Sequence, residues 1–227
     1  MSSAKPTLFT ICGQSCSGKS TLEADLRELG FRASVSHTTR APRSGEVHGE
    51  HYHFISEAEF ALLEHTGAFI ETSPSVYGRR YGTTAAQVLH KAAAGAPLVI
   101  VCEPVGRQKI RRYCAQNGWH HVAVFVDAHP AVLAARLVER MARDLAAAVT
   151  PDQRQQVIDS YSRRLGGMMG EETHWADDLA AYDIVVESYT PTTERSVQKQ
   201  LLEQALVLTE SHGWLTDAGR TLSGAGS

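Results

Sequence analysis

Residues 13–20 read GQSCSGKS, and this stretch decides the fold of the 227-residue chain. It matches the pattern G-x-x-x-x-G-K-[ST], and it stands between a β-rich apolar run at 6–12 and a helical pattern that follows. Its two glycines allow the backbone to curl, so that successive N–H groups and the helix N-terminus face one anion. Lys19 is placed to reach the β- and γ-phosphates, and the Ser20 hydroxyl to ligate Mg²⁺. The stretch therefore predicts a bound nucleoside triphosphate.

Outward from this loop, apolar strand patterns alternate with helical patterns. The run at 96–102 is apolar throughout, which is typical of a parallel strand covered on both faces, and 121–127 is predicted as another buried strand. The predicted strands are 6–12, 52–55, 67–71, 96–102, 121–127 and 182–188, and the predicted helices are 18–29, 56–65, 85–94, 105–118, one that begins at Pro130 and one at about 193–211. This alternation indicates an α/β fold with a parallel central sheet flanked by helices.

Composition narrows the class of protein. A hydrophobic content of 43% over 227 residues suffices for one large domain, or for a core with small appended subdomains. The net charge of -3 does not favour nucleic acid or an anionic membrane, and no run approaches the roughly 18 apolar residues of a membrane span. The start is too short in apolar residues for a signal peptide. We therefore predict a cytoplasmic monomer or homodimer that binds small-molecule nucleotides, with no nucleic-acid or membrane partner.

Cysteine usage agrees with a reduced, cytoplasmic setting. The chain has four cysteines without C-x-x-C spacing or the spacing of a disulfide framework. Cys12 and Cys16, which are four residues apart, leave a metal pair open as an alternative.

A second polar stretch, SVSHTTRAPRSGEVHGEHY at 34–52, has no helical or strand period and is predicted as a loop. Arg40 and Arg43 in this stretch offer planar guanidinium groups that suit a terminal monophosphate. Pro42 between them stiffens the turn. The stretch predicts a second phosphate site, with a solvated surface loop as the alternative on composition alone.

GQSCSGKSTL followed by SVSHTTRAPRSGEVHGEHYHF resembles the guanylate kinase family, whose pattern is roughly GPSGxGKSTL and then SVSHTTRxPRxGExxGxxYxF. The resemblance continues with GAFIE, YGTT, RLVER, RRLGGMMGEETHW and YDIVV, and it covers about residues 7–190. It implies a P-loop kinase fold with an inserted region for the nucleoside monophosphate (NMP) and a lid. It also implies transfer of the γ-phosphoryl group of ATP, with Mg²⁺, to GMP or dGMP.

The resemblance implies roles for three groups of residues. The donor ATP is bound by Gly13, Ser15, Cys16, Ser17, Gly18, Lys19, Ser20 and Thr21. The acceptor monophosphate is bound by Ser36, Arg40, Arg43, Tyr52, Glu71, Tyr81, Thr83 and Glu103. The catalytic residues are Lys19, Arg136, Arg140 and Arg164, and the metal ligand is Ser20.

The resemblance also implies a division of the chain. The P-loop core comprises 1–35, 97–140 and 176–212, the NMP-binding region is 36–96, the lid is 141–175, and a flexible tail is 213–227. In the NMP-binding region, Glu71 is the residue with a base-reading chemistry that can be argued independently. Guanine presents N1–H and N2–H₂ as adjacent donors, and one carboxylate accepts both, whereas adenine presents an acceptor at N1.

The chain departs from the family pattern near the acceptor. The family strand reads roughly ILDIDxQG, whereas this chain reads VIVCEPVG, so Val101 replaces the first acid and Glu103 the second. Arg79 and Arg80 stand where uncharged residues are usual, and the segment from Arg140 to Arg164 is longer than usual. The alternative function is therefore a kinase of the same fold for another or modified (deoxy)nucleoside monophosphate.

A third alternative is a non-catalytic guanylate-kinase-like interaction module. Such modules tend to lack a working phosphate-binding loop. Here Lys19 and Ser20 are both present, which favours an enzyme.

Overall fold

The computed structural model describes residues 5–42, 45–76, 78–93, 95–168 and 178–187. The strands are β1 (Thr7–Gly13), β2 (Arg32–Ala33), β3 (His37–Thr38), β4 (His53–Phe54), β5 (Phe69–Val76), β6 (Arg79–Thr84), β7 (Leu98–Val101), β8 (His120–Asp127) and β9 (Ile184–Glu187). The helices are α1 (Lys19–Glu28), α2 (Glu57–His65), α3 (Ala85–Ala92), α4 (Pro104–Asn117), α5 (Pro130–Ala147) and α6 (Pro151–Met168).

The central sheet has the strand order β2-β7-β1-β8-β9 in the described residues, and each neighbouring pair is parallel. All seven residues of β1 are buried. The predicted parallel central sheet is therefore confirmed. Because all five strands point the same way, the loops that follow β1 and β7 lie side by side at the carboxyl edge of the sheet.

Apolar side chains cover both faces of this sheet. On one face, Phe9 and Ile11 of β1 pack in a cluster with Leu22 and Leu26 of α1. On the other face, Leu8 lies in a cluster with residues of α3 and α4, among them Val88 and Ile110. Successive residues of β1 therefore face opposite helical layers, which explains why apolar side chains predominate on both faces of the sheet.

A second sheet, ordered β4-β3-β6-β5 in the described part of the chain, lies within the predicted NMP-binding region. β3 pairs parallel with β4 and antiparallel with β6, and β5 pairs antiparallel with β6. The prediction that all of 34–52 is loop was therefore wrong for β3. β2 and β6 were not predicted as strands either. A two-residue strand is too short to show a sequence period. β6 begins with Arg79 and Arg80, and two adjacent charged residues are not typical of a strand.

Arg80 shows how a charged residue is accommodated in β6. Its guanidinium group lies 4.3 Å from the centre of the Phe60 ring and forms an ion pair with Glu64. Its guanidinium group therefore has both an aromatic and an acidic partner outside the strand ladder.

The predicted helix ends are largely confirmed. The Ser56 side chain accepts from the Glu59 N–H at 3.2 Å, while Glu59 Oε2 accepts from the Ser56 N–H at 2.7 Å, and this is the predicted capping box of α2. α4 ends at Gly118, whose φ of 67° is left-handed. The predicted helix at 193–211 and the tail at 213–227 lie outside the described residues, and the proposed division of the chain stays a prediction. No helix in the described ranges is long and apolar enough to cross a membrane.

Candidate active site

The loop between β1 and α1 curls through left-handed backbone positions. Gly13 has a φ of 150°, Gly18 has a φ of 108° and caps α1, and Cys16 adopts a φ of 67° although it is not a glycine. The Ser17 N–H donates to the Gln14 carbonyl at 3.2 Å. The local strand, loop and helix therefore have the shape that the motif predicts.

Lys19 turns back onto this loop. Its Nζ donates to the carbonyl oxygens of Gly13 at 2.6 Å and Gln14 at 2.7 Å. Ser20 and Thr21 follow in the first turn of α1 and are exposed, while Ser17 is fully buried. The ammonium group and the Ser20 hydroxyl are thus both presented at the mouth of the loop.

The close packing of Gly13 leads to a first prediction, which is that Gly13→Ala destabilises the protein. An added Cβ would lie 2.5 Å from the Val126 carbonyl oxygen and 2.8 Å from Ser17 Oγ, and a φ of 150° is unfavourable for alanine. Because a backbone oxygen of β8 cannot move aside, we expect a loss of about 2–4 kcal/mol, measured by chemical denaturation.

The matched control for this prediction is Gly118→Ala. Gly118 also has a left-handed φ of 67°, but apart from its own atoms and its chain neighbours no atom of the described residues lies within 4 Å of the place that an added Cβ would take. This variant is expected to lose only about 1–2 kcal/mol, from backbone strain alone. Equal losses in the two variants would contradict the steric argument.

The predicted acceptor-phosphate residues meet around Arg40. Its guanidinium group forms a two-pronged ion pair with Glu46, with N–O distances of 2.7 and 2.9 Å. The same group lies 5.3 Å from the centre of the Tyr52 ring, and that ring is 5.9 Å from the ring of Tyr81. Arg40, Tyr52 and Tyr81 are therefore brought together, whereas Arg43 lies outside the described residues. Glu46 was not among the predicted residues.

The predicted base-reading residues form one hydrogen-bonded chain. Thr83 lies directly opposite Glu71 in the β5–β6 ladder, and its hydroxyl donates to Glu71 Oε1 at 2.8 Å. The Ser36 hydroxyl lies 3.0 Å from Thr83 Oγ1. Because the Thr83 proton is used on Glu71, Ser36 is the donor in that second bond. These two hydrogen bonds link Ser36, a predicted phosphate-binding residue, to the predicted base-reading residues Thr83 and Glu71.

Glu71 is a buried carboxyl group with capacity left for a ligand. The residue is 4% exposed, and its Oε2 is buried without a hydrogen-bond partner among the described residues. Burial raises the pKa of Glu71 to about 7, against the lowering effect of the Thr83 hydrogen bond. A buried, unpaired carboxylate oxygen is unfavourable unless a donor satisfies it, so Oε2 is a site for N–H groups from outside.

Two residues of α4 that the sequence reasoning missed lie against this carboxyl group and its strand. An added Cβ at Gly106 would lie 2.7 Å from Glu71 Oε2, so α4 approaches closely there. Lys109 Nζ donates to the Thr72 carbonyl oxygen at 2.7 Å and to Thr72 Oγ1 at 3.2 Å. The three-residue spacing of Gly106 and Lys109 is the signal that places both on one face of a predicted helix.

The end of β7 and the start of α4 hold the two positions, Val101 and Glu103, at which this chain departs from the acidic pair of the family pattern. Val101, which replaces an acid of the family pattern, ends β7 and packs against the core. Glu103 is the N-cap residue of α4, and its side chain makes no capping hydrogen bond. Glu103 thus lies at the carboxyl edge of the sheet, three residues before Gly106.

The predicted catalytic arginines divide between two places. Arg136 of α5 donates from Nη1 to the carbonyl oxygens of Ser17 at 3.1 Å and Cys16 at 3.3 Å, so it contacts the phosphate-binding loop. Arg164 of α6 is 8% exposed, and its guanidinium group lies 5.2 Å from the centre of the Tyr161 ring.

Tyr161 is a further residue that the sequence reasoning missed. Its hydroxyl donates to Asp144 Oδ2 at 2.7 Å and thereby ties α6 to α5. Burial raises the pKa of Tyr161 to about 12, with the Asp144 hydrogen bond acting in the same direction and Arg140 and Arg164 opposing it. Arg140 and Arg164 are therefore close to the same tyrosine.

The alternative metal pair, Cys12 and Cys16, stays a prediction. Cys12 Sγ lies 4.0 Å from Cys102 Sγ of the neighbouring chain segment, and all four cysteines are free thiols. In the ranges that the structure describes, no group of three or more His, Cys, Asp or Glu residues is arranged to hold a metal ion.

Comparison with known proteins gives three kinds of match. A family model described as guanylate kinase matches residues 5–162. A guanylate kinase of Neisseria meningitidis serogroup A is 43% identical over 109 residues, which cover 47% of this chain and 53% of that protein. A guanylate kinase of Nitrosococcus oceani is 36% identical over 122 residues, which cover 53% of this chain and 58% of that protein. The chain thus spans about half the length of the curated relatives it matches.

The third match is structural. A solved guanylate kinase from Anaplasma phagocytophilum superposes with a TM-score of 0.58 at 23% identity, over 96% of this chain and 100% of that chain. This likeness supports the P-loop kinase fold. The family itself follows from the sequence model, whose match to residues 5–162 is more than half of the chain. The resemblance seen in the two motifs is thereby confirmed, and the protein belongs to the guanylate kinase family.

Proposed function

We propose that the protein is an ATP-dependent guanylate kinase, which transfers the γ-phosphoryl group of ATP to GMP or dGMP and gives ADP with GDP or dGDP. The observation that carries this proposal is the buried Glu71 carboxyl group, whose Oε2 has no hydrogen-bond partner among the residues that the structure describes. It lies against the first turn of α4, which follows β7, and β7 is the neighbour of the strand that ends in the phosphate-binding loop. An acceptor base at Glu71 and a donor at the loop therefore share one edge of the sheet.

On the donor side, the loop N–H groups and the N-terminus of α1 bind the phosphates, and Lys19 contacts the β- and γ-phosphoryl oxygens. The Ser20 hydroxyl at the mouth of the loop suits Mg²⁺, which needs few protein ligands because it retains water and phosphate oxygens. When bound, Mg²⁺ would be held by Ser20 on the protein side and would supply positive charge that neutralises the phosphates. Arg136, already in contact with the loop, is placed to stabilise charge on the transferring group.

On the acceptor side, Arg40, Tyr52 and Tyr81 bind the monophosphate, together with Ser36 and Arg43. For this, Arg40 exchanges the Glu46 carboxylate for phosphate oxygens, since both anions accept two parallel N–H bonds from a guanidinium group. Glu71 accepts from N1–H and N2–H₂ of guanine, while Thr83 orients the carboxyl group. Arg140, Arg164 and Glu103 complete the proposed site.

Guanine selectivity is tested by the rate of ADP formation with GMP, dGMP, IMP and AMP. We expect GMP or dGMP to be the best acceptor. IMP lacks the 2-amino donor and is expected to lose roughly 10–100-fold in kcat/KM, because the Glu71 carboxylate then receives one hydrogen bond fewer from the base. AMP is expected to be inactive, because it presents N1 as an acceptor to Glu71.

The same panel decides between guanylate kinase and its same-fold alternative. If GMP and dGMP gave no ADP above background while another or a modified nucleoside monophosphate did, the acceptor assignment would move to that compound. We further propose that the enzyme works in the cytoplasm, which the four free thiols support. We propose that it does so as a monomer or homodimer.

A further inference from the structure

One face of α4 is turned towards β5 and carries Gly106 and Lys109. Gly106 has no side chain, and this absence leaves the space that Glu71 Oε2 occupies. Lys109, one turn further along, donates to both oxygens of Thr72, the residue that follows Glu71. The helix therefore makes room for the carboxyl group and binds the strand that carries it.

Glu71 has to be ionised to accept two N–H donors, since a protonated carboxyl group loses one acceptor position. Burial opposes ionisation and raises the pKa of Glu71 to about 7, so both forms are populated at neutral pH. The groups that favour the ionised form are Thr83 of β6, through hydrogen bonds, and Lys109 of α4, through its charge. Cys102 also faces Glu71, but its thiol pKa is raised well above its usual value, by its hydrogen bond with Cys12 and by burial, so it stays neutral.

We infer that Lys109 is a positioning residue for the acceptor base, because its ammonium group is bonded to Thr72, next to Glu71, on the helix face where Gly106 makes room for the Glu71 carboxyl group. This inference rests on the proposed function and deepens it. The expected partner of the site is a purine with two adjacent N–H donors. Lys109 itself is bonded to Thr72 and acts through Glu71 rather than on the substrate.

A direct test follows the Glu71 carboxyl carbon by NMR as pH is varied, in the protein without nucleotide. In Lys109→Met the midpoint of Glu71 titration is expected to rise by about one pH unit, because an opposite charge is removed. In Lys109→Arg, which keeps the charge, the midpoint is expected to stay near the wild-type value. An unchanged midpoint in Lys109→Met would overturn the inference.

A kinetic test separates this role from a purely structural one. In Lys109→Met the KM for GMP is expected to rise roughly fivefold at pH 7 and to approach the wild-type value by pH 9, where Glu71 is ionised in both proteins. The KM for ATP is expected to stay unchanged at both pH values. If Lys109 only clamps β5, the loss would be the same at pH 7 and pH 9, and the inference would be wrong.

The matched control is Arg112→Met, which removes a positive charge from an exposed position of the same helix. It is expected to change neither the Glu71 midpoint nor the KM for GMP. The Glu71 titration needs no nucleotide, so it still tests the role of Lys109 if the panel of acceptors disproves guanylate kinase activity. Thermal denaturation of each variant shows whether α4 and β5 remain packed.

Discussion

Lys19→Met is expected to lower kcat/KM for phosphoryl transfer by about 10³-fold or more, the largest loss expected from any single substitution. The ammonium group is held over the start of the phosphate-binding loop by the carbonyl oxygens of Gly13 and Gln14. Methionine keeps the length of the side chain and removes the charge that contacts the β- and γ-phosphates. The measurement is the rate of ADP formation at varied ATP, with GMP saturating.

Lys19→Arg serves as a second variant for the same residue. It keeps the charge, but its planar fork is bulkier than an ammonium group and fits the curled loop poorly, so it is expected to restore little activity. Lys91→Met on α3 is the control for loss of one lysine, and we expect it to leave kcat/KM within about twofold of wild type. If Lys19→Met left the biological function intact, the non-catalytic interaction module would become the better description.

Glu71→Gln is expected to lower kcat/KM for GMP by roughly 10–100-fold. Glutamine turns an NH₂ donor towards the N–H donors of guanine, and one of these groups is then left unpaired. The KM for ATP is expected to change little, because Glu71 does not contact the donor loop. Glu64→Gln, at an exposed position of α2, is the control and should leave acceptor use unchanged. Equal use of GMP by the Glu71→Gln variant would contradict the base-reading role and favour a different acceptor.

The same substitution is expected to stabilise the protein at high pH. The pKa of Glu71 is about 7 in the folded protein, above the 4.5 of an ordinary glutamic acid. The folded state therefore binds more protons than the unfolded state between these pH values, and stability falls as pH rises through this window. Glutamine does not titrate, so Glu71→Gln is expected to gain up to about 3 kcal/mol relative to wild type at pH 8 and much less at pH 4. Chemical denaturation at the two pH values measures the difference.

The opposite effects of Glu71→Gln on stability and on acceptor use share one cause. A buried carboxylate with an unpaired oxygen is unfavourable in the free protein and becomes favourable when N–H donors bind it. Relief of this unfavourable state therefore contributes to the free energy of acceptor binding. Polar groups of this kind are expected at sites of function.

Much of the core was predictable because its signals are local. GQSCSGKS is contiguous with the strand before it and the helix after it, so one window of sequence contains the complete strand–loop–helix unit. The apolar runs of β7 and β8 report burial on both faces, whatever their partners are. By contrast, β3 is two residues long, and its two partner strands lie well beyond it in the sequence.

The sequence by itself determined the phosphate-binding loop, the parallel α/β core and the family. The tertiary structure decided which residues surround the reacting groups. Arg136 reaches the loop across 119 residues of sequence, and Lys109 reaches Thr72 across 37. The missing side chain at Gly106 matters only because Glu71 Oε2 lies where a Cβ would have to go. Such contacts follow from the packing of whole helices and strands, and periodicity within one segment reports only which face of that segment is buried.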